Sequence, residues 1–204
     1  MAWPRSLLLA AAVVLVGVDV ASLGFHDFNA DTKTASGSAA VTSAPTTTTT
    51  LPGQDFEGPR HNYMLRVNSA WPHHADMPIQ GIETWQVVDA ANGFAPNMNV
   101  VVENLPSELS VDTYLHANTA SVKNATAVLA GATIIGEQVV NGAYGQQLGR
   151  MEYTASVQGH ALHFIAIVAV HKKTGVVATF TSPDDRFAQI RALVEPYLLT
   201  LRAI

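Results

Sequence analysis

NGAYGQQLGRMEYTASVQGHALHFIAIVAVHKKTGVVATFT, residues 141–181, decides the fold, because three turn signals divide it into strands. Asn141-Gly142, between Val139-Val140 and Ala143-Tyr144, suits a type I′ hairpin turn, in which both central residues take positive φ. Gln158-Gly159 makes a second turn. Lys172-Lys173-Thr174-Gly175 makes a third, polar and glycine-ended, between the apolar run Ala161–Val170 and the β-branched run Val176–Thr181. The reading is a four-strand antiparallel meander.

Alternation then says how the sheet is covered, since successive strand residues point to opposite faces. Leu162, Phe164, Val168 and Val170 share one face, and Ile165 and Ile167 the other, so this strand is buried on both sides and needs a layer above and below. The Gly145–Val157 strand differs: Met151, Tyr153, Ala155 and Val157 alternate with Arg150, Glu152, Thr154 and Ser156, which predicts a half-wetted strand near an edge.

Two helices supply the layers. Ser110 reads as an N-cap with Asp112 in the first turn, and Val111, Tyr114, Leu115 and Val122 make one apolar face of a helix ending near Asn124. For the last helix Ser182 is expected to cap, Pro183 to occupy the first position, and Asp184 and Asp185 to sit at the positive end. Phe187, Ile190, Leu193, Val194, Tyr197, Leu198 and Leu201 form its apolar stripe, with Arg191 on the opposite side. Pro196 predicts a kink or a break near Val194. Upstream, Tyr63–Val67, Thr84–Val88 and Asn97–Glu103 read as strands. Trp71 is expected at the lip of the core, Asn92-Gly93 breaks the chain, and Leu105-Pro106 closes the third of these strands.

The start of the chain is different. Arg5 precedes Leu7–Val18, apolar apart from Gly17, and small residues surround Val20-Ala21-Ser22. That is the shape of a signal peptide over residues 1–25; retained, residues 7–25 would be an N-terminal membrane anchor, and a buried hydrophobic helix is the third reading. Residues 26–55, rich in Thr, Ser, Pro and Gly, have almost nothing to bury and read as a flexible linker. The domain proper is expected over residues 56–204, outside the cytoplasm, either secreted or held at the cell membrane.

Composition excludes several function classes. The 204 residues carry a formal net charge of −5, so no nucleic-acid surface is expected. Absence of cysteine excludes disulfides, thiolate metal sites, a cysteine nucleophile and lipobox lipidation. Ser182 lacks the Gly-x-Ser-x-Gly elbow of a hydrolase, and nothing in the spacing of Glu83, Glu103 and Glu152 selects a carboxylate pair. His73-His74-x-Asp76, with His61 as a further ligand, is the one metal-like cluster, but between Pro72 and Pro78 it reads more simply as a polar surface loop. His163 and His171 read as partly exposed strand-end residues. The balance predicts no enzyme, no catalytic or metal residues and no cofactor.

The order of elements resembles the Mog1/PsbP-like superfamily, particularly the actinobacterial envelope branch of LpqN-type proteins. The resemblance rests on Met98–Pro106, the Val111–Leu115 helix start, Gly142 and Gly145 ahead of Met151-Glu152-Tyr153, the Val177–Ser182 passage followed by Phe187, and Tyr63 with Trp71. It covers about Tyr63 to Ile204, and its motifs are packing signatures. It implies an α+β fold, an antiparallel sheet sandwiched between helices (α/β/α), used as a non-enzymatic binding or assembly module. The chain departs from the lipoprotein branch in lacking the lipid-bearing cysteine, and Pro196 is a second departure.

The expected function is therefore an exported or membrane-tethered binding or scaffold module of the cell envelope that recognises a protein, peptide or small envelope ligand. The alternative is an envelope enzyme or metal-dependent protein built on His73, His74 and Asp76. A binding groove is expected where Trp71–Gly81 crosses near the Gly145–Val157 strand, with Arg150 and Glu152 facing the partner.

Overall fold

The meander forms as read, though two of its three turns are built differently. In this computed structural model the described residues are 51–74, 82–88 and 94–204. The leader, most of the linker, Asp76, Pro78, Gly81 and Asn92-Gly93 lie outside them. The strands are β1 (Gln54–Glu57), β2 (Tyr63–Val67), β3 (His73–His74), β4 (Ile82–Gln86), β5 (Asn97–Asn104), β6 (Ala130–Asn141), β7 (Gln147–Val157), β8 (His160–His171), β9 (Thr174–Pro183) and β10 (Arg202–Ala203). The helices are α1 (Val111–Asn124) and α2 (Asp184–Leu198).

Gln158-Gly159 is the tight turn: Val157 pairs with His160, and both loop residues have positive φ, 51° and 84°. Asn141-Gly142 is not one. The loop there spans five residues, closed by Gly142 N–H to the Gln146 carbonyl at 2.7 Å, and the positive φ falls on Gly145. The third turn is shorter than its four-residue signal, because His171 pairs directly with Thr174. Gly175 belongs to β9 instead, where a Cβ would lie 2.5 Å from the Tyr114 ring; the glycine is there so that α1 can press on the sheet.

Seven strands form one antiparallel sheet in the order β3-β4-β5-β9-β8-β7-β6, and β1-β2-β10 form a second, smaller one. The fold is α+β, with the large sheet between layers as the alternation predicted. Leu162, Phe164, Ala166 and Val168 pack with Tyr114, Leu115 and Val122 of α1. Ile165, Ile167 and Ala169 pack with Phe187, Ile190, Val194 and Leu198 of α2, and with Tyr63, Leu65 and Val67 of the small sheet.

Both helices hold their predicted places, and α2 differs in detail. Ser110 caps α1, its Oγ accepting from Thr113 N–H at 3.0 Å. Ser182 does not cap α2. Strand pairing with β8 runs on through Ser182 and Pro183, so Pro183 is the N-cap and supplies no side-chain bond. Nor does Pro196 break the helix, which continues to Leu198; the proline sits in the last turn, where few backbone bonds remain to lose. Leu193 is 44% exposed and so is not part of the core stripe. Arg191 is not idle either, since it pairs with Glu195.

The last residues of the segment read as linker bond to the domain. Arg66 donates from Nε to the Leu51 carbonyl at 2.7 Å and from Nη2 to that of Gly53 at 2.9 Å, and Tyr197 Oη donates to the Pro52 carbonyl at 2.9 Å. Residues 51–55 thus pack on the domain. Trp71 is buried against Tyr197, ring centroids 4.8 Å apart, as a lip of the core.

A candidate binding face on the sheet

The residues singled out from sequence do not converge. His73 and His74 form β3, and neighbouring strand residues point apart. The His73 ring stacks on Trp85 at 4.9 Å and its Nε2 meets Glu83 at 2.6 Å, on the α2 side. His74 pairs with Thr84 on the α1 side. His61 is exposed in a separate loop, beside Glu57 at 2.8 Å. Among the described residues no group of three or more histidines and carboxylates is placed to hold a metal ion. Glu83, Glu103 and Glu152 are likewise scattered: Glu103 faces α1, while Glu83 and Glu152 face the α2 side on β4 and β7, four strands apart in the sheet order.

Among the described residues the predicted groove is not formed, because β3 and β7 lie near opposite ends of the sheet, five strand spacings or about 24 Å apart. The polar face of β7 is not wet either. Arg150 and Glu152 are 7% and 9% exposed and covered by α2. Arg150 bonds Glu152 at 2.7 Å and Glu195 at 2.6 Å; Arg191 bonds Glu195 at 2.7 Å. His163 is partly exposed as expected, but it is tied into the cluster: it bridges Glu152 at 3.0 Å and Asp184 at 2.9 Å, its ring stacked 3.5 Å from Phe187. His171 is exposed as expected. Burial pushes the Glu152 carboxyl up, but the bond and charge of Arg150 outweigh it and hold the group below its ordinary value. Burial likewise opposes the Arg150 charge, and its bonds to Glu152 and Glu195 more than restore it. Every charge in this cluster has a partner, which is the behaviour of a clamp between helix and sheet.

The α1 side of the sheet is the opposite case. Cross-strand register lines up His74, Thr84, Asn99 and Thr179 in one row, and Gln86, Asn97 and Thr181 in the next. Two further positions along β5, past Val101, stands Glu103. Thr84, Asn97 and Thr181 are 0% exposed and Asn99 is 1%. Yet His74 Nε2, Thr84 Oγ1, Asn97 Oδ1, Asn99 Nδ2, Glu103 Oε1 and Thr181 Oγ1 are buried without a hydrogen-bond partner among the described residues. A buried polar atom left unpaired costs roughly 1–3 kcal/mol, so six on one face is a large concentration. The rows turn apolar where α1 lies: Thr179 continues into Ala166 and Thr181 into Phe164. Asn118, one turn after Tyr114 on the buried side of α1, adds another unpaired oxygen.

Sequence reasoning missed this face. Its signal was present as polar residues at alternate positions, Asn97 and Asn99, Thr179 and Thr181, but such alternation ordinarily marks a solvated side. Glu103 has an unusual environment: burial pushes its carboxyl up to about 7, against the bond donated by Tyr114 Oη at 2.9 Å, which pulls it down.

The fold is similar to that of solved structures. The chain resembles cyanobacterial PsbP from Synechocystis sp. PCC 6803 with a TM-score of 0.56 at 13% identity, over 79% of this chain and 98% of that one. It resembles the Saccharomyces cerevisiae Ran-binding protein Mog1p with a TM-score of 0.51 at 7% identity, over 76% and 96%. LpqN of Mycobacterium tuberculosis, involved in cell envelope biogenesis, gives 0.49 at 14% identity, over 75% and 86%. No protein family and no curated protein matches the sequence itself. The chain has the Mog1/PsbP-like fold, and at these identities the likeness extends to the fold alone.

Proposed function

We propose that the chain is a non-catalytic binding module, exported or tethered through residues 7–25, which takes its ligand on the α1-side face of β4, β5 and β9. One observation carries this: hydroxyls and amides are buried there with their hydrogen-bonding capacity unused. A face serving the fold alone would be paired or apolar. The side chains present suit recognition rather than turnover, since threonine hydroxyls and asparagine amides hold a ligand, and the hydrogen bonds of the described histidines go to carboxylates rather than to a serine or threonine hydroxyl. Mog1p is a Ran-binding protein, which supports this fold as a binding scaffold. The leader supports a place outside the cytoplasm, in the cell envelope.

Native mass spectrometry of the full chain, isolated from the cells that make it, tests the reading. A non-covalent adduct is expected on the natural chain and absent from the variant Thr84→Val/Asn99→Leu. An adduct retained by the variant, or none on either, contradicts it.

A further inference from the structure

The α1-side face is almost wholly closed from solvent, and the start of α1 closes it at the Glu103 end, where Tyr114 packs with Leu105 and Val177. Glu103 pairs with Gly175 across β5 and β9, and the Tyr114 ring lies so close over that glycine that a Cβ would come within 2.5 Å of it. Tyr114 Oη donates to Glu103 Oε2 at 2.9 Å, which ties the first turns of α1 to both strands at one point. Glu103 is 4% exposed, and its other oxygen, Oε1, has no partner among the described residues. The charges around it do not compensate it. On α1, Asp112, His116 and Lys123 are exposed, and His116 turns to Asp112 and to Glu137 of β6. Between β5 and α1, Glu108 is exposed and of the same sign. In the β8–β9 turn Lys172 and Lys173 are exposed, and Lys173 offers only its carbonyl, to Leu105 N–H at 2.7 Å. The other buried charges are all paired, Glu83 with His73 and Arg150 with Glu152 and Glu195. Glu103 is the exception: a neutral carboxyl fits its place, whereas a carboxylate there has one bond and no cation.

We infer that Glu103 and Tyr114 form a proton-dependent latch on α1: protonated Glu103 lets the start of the helix close on β5 and β9, and loss of the proton drives that end of the helix open so that the carboxylate reaches water. As a gate for the polar face the latch rests on reading that face as the binding site; the latch itself rests on Glu103 and Tyr114. Closed, the carboxyl stands at about 7, and open it returns to its ordinary 4.5. The closed form is therefore favoured in full below 4.5 and loses that advantage as pH rises through 7. Between pH 5.5 and pH 8 those two values raise the opening constant roughly 25-fold.

Amide hydrogen exchange of the full chain at pH 5.5 and pH 8, read by mass spectrometry and scaled to the intrinsic exchange rates, tests it. Residues 105–120 should open separately from β8 and β9, with lower protection than those strands, and their protection should fall roughly 25-fold between the two pH values. In Glu103→Gln the fall should vanish. In Tyr114→Phe, which loses the bond that pulls the carboxyl down, it should steepen. Residues 105–120 protected as well as β8 and β9 at both pH values, an equal fall in Glu103→Gln, or a shallower fall in Tyr114→Phe would overturn the latch. The binding reading is decided separately by the adduct: a failed latch with the adduct retained removes the gate alone, and a working latch on a chain without an adduct removes only its use as a gate.

Discussion

Glu103 sets a pH response that a single residue can account for. Its carboxyl rises from an ordinary 4.5 to about 7 in the folded chain. A group raised on folding contributes stability that is fully present below 4.5 and lost as pH climbs through 7. At about 1.4 kcal/mol per unit, the loss is roughly 3 kcal/mol between those limits. Glu103→Gln, which keeps the shape and the bond from Tyr114, should flatten this decline and be the more stable protein at pH 8. Urea melts at pH 5 and pH 8 measure it; parallel declines in the two proteins would show that another group is responsible. Glu103 was legible in the sequence as a strand residue and no further, because its environment depends on Tyr114 and Gly175, each from a different element. The same holds for Thr84, Asn99 and Thr179. Each is an ordinary polar residue in its own segment, and only the register of β4 and β5 with the distant β9 puts them side by side.

At the scale of elements, α2 is held by two kinds of contact, and each predicts a different variant. Leu198 is fully buried and Leu193 is 44% exposed. Leu198→Ala should cost about 2–5 kcal/mol in a urea melt and Leu193→Ala less than about 1. Equal losses would mean that the helix docks with another face. The charged contact is Arg150, which joins Glu152 of β7 to Glu195 of α2. Arg150→Ala removes the one cation that hydrogen-bonds both carboxylates, leaving Glu195 to Arg191 and Glu152 to His163 and a longer contact with Arg191, and should destabilise by roughly 2–3 kcal/mol. A melt unchanged by that substitution would return Arg150 to the surface role its alternation suggested. The helix was visible in sequence from its acidic start and its apolar period. Its exact facing was not, because Leu193 and Val194 are adjacent on the apolar arc and only docking decides which turns inward. The polar side of β7 misled for a physical reason: a buried ion-pair network and a wetted strand face have the same residue pattern.

For the whole molecule, we place the start of the domain where Leu51, Pro52 and Gly53 become acceptors for Arg66 and Tyr197. A chain starting at Leu51 should melt with the full-length domain. One starting at Gly58 loses β1 and those bonds, and should melt roughly 5–10 °C lower, on about 2–3 kcal/mol lost. Differential scanning calorimetry of the two truncations decides it, and identical transitions would put the boundary at Gly58 or later. The larger claim is that the molecule keeps a polar face unpaired inside an otherwise well-packed sandwich because that face binds something. Replacing orphaned polar groups by apolar ones of similar shape removes a burial penalty, whereas breaking a structural network adds one. The direct measurement is the equilibrium unfolding free energy of Thr84→Val/Asn99→Leu against the natural chain, without ligand. The account predicts a variant at least as stable, by up to about 2–3 kcal/mol; a variant less stable by more than about 1 kcal/mol would show that those side chains hold the fold together, and would contradict the account.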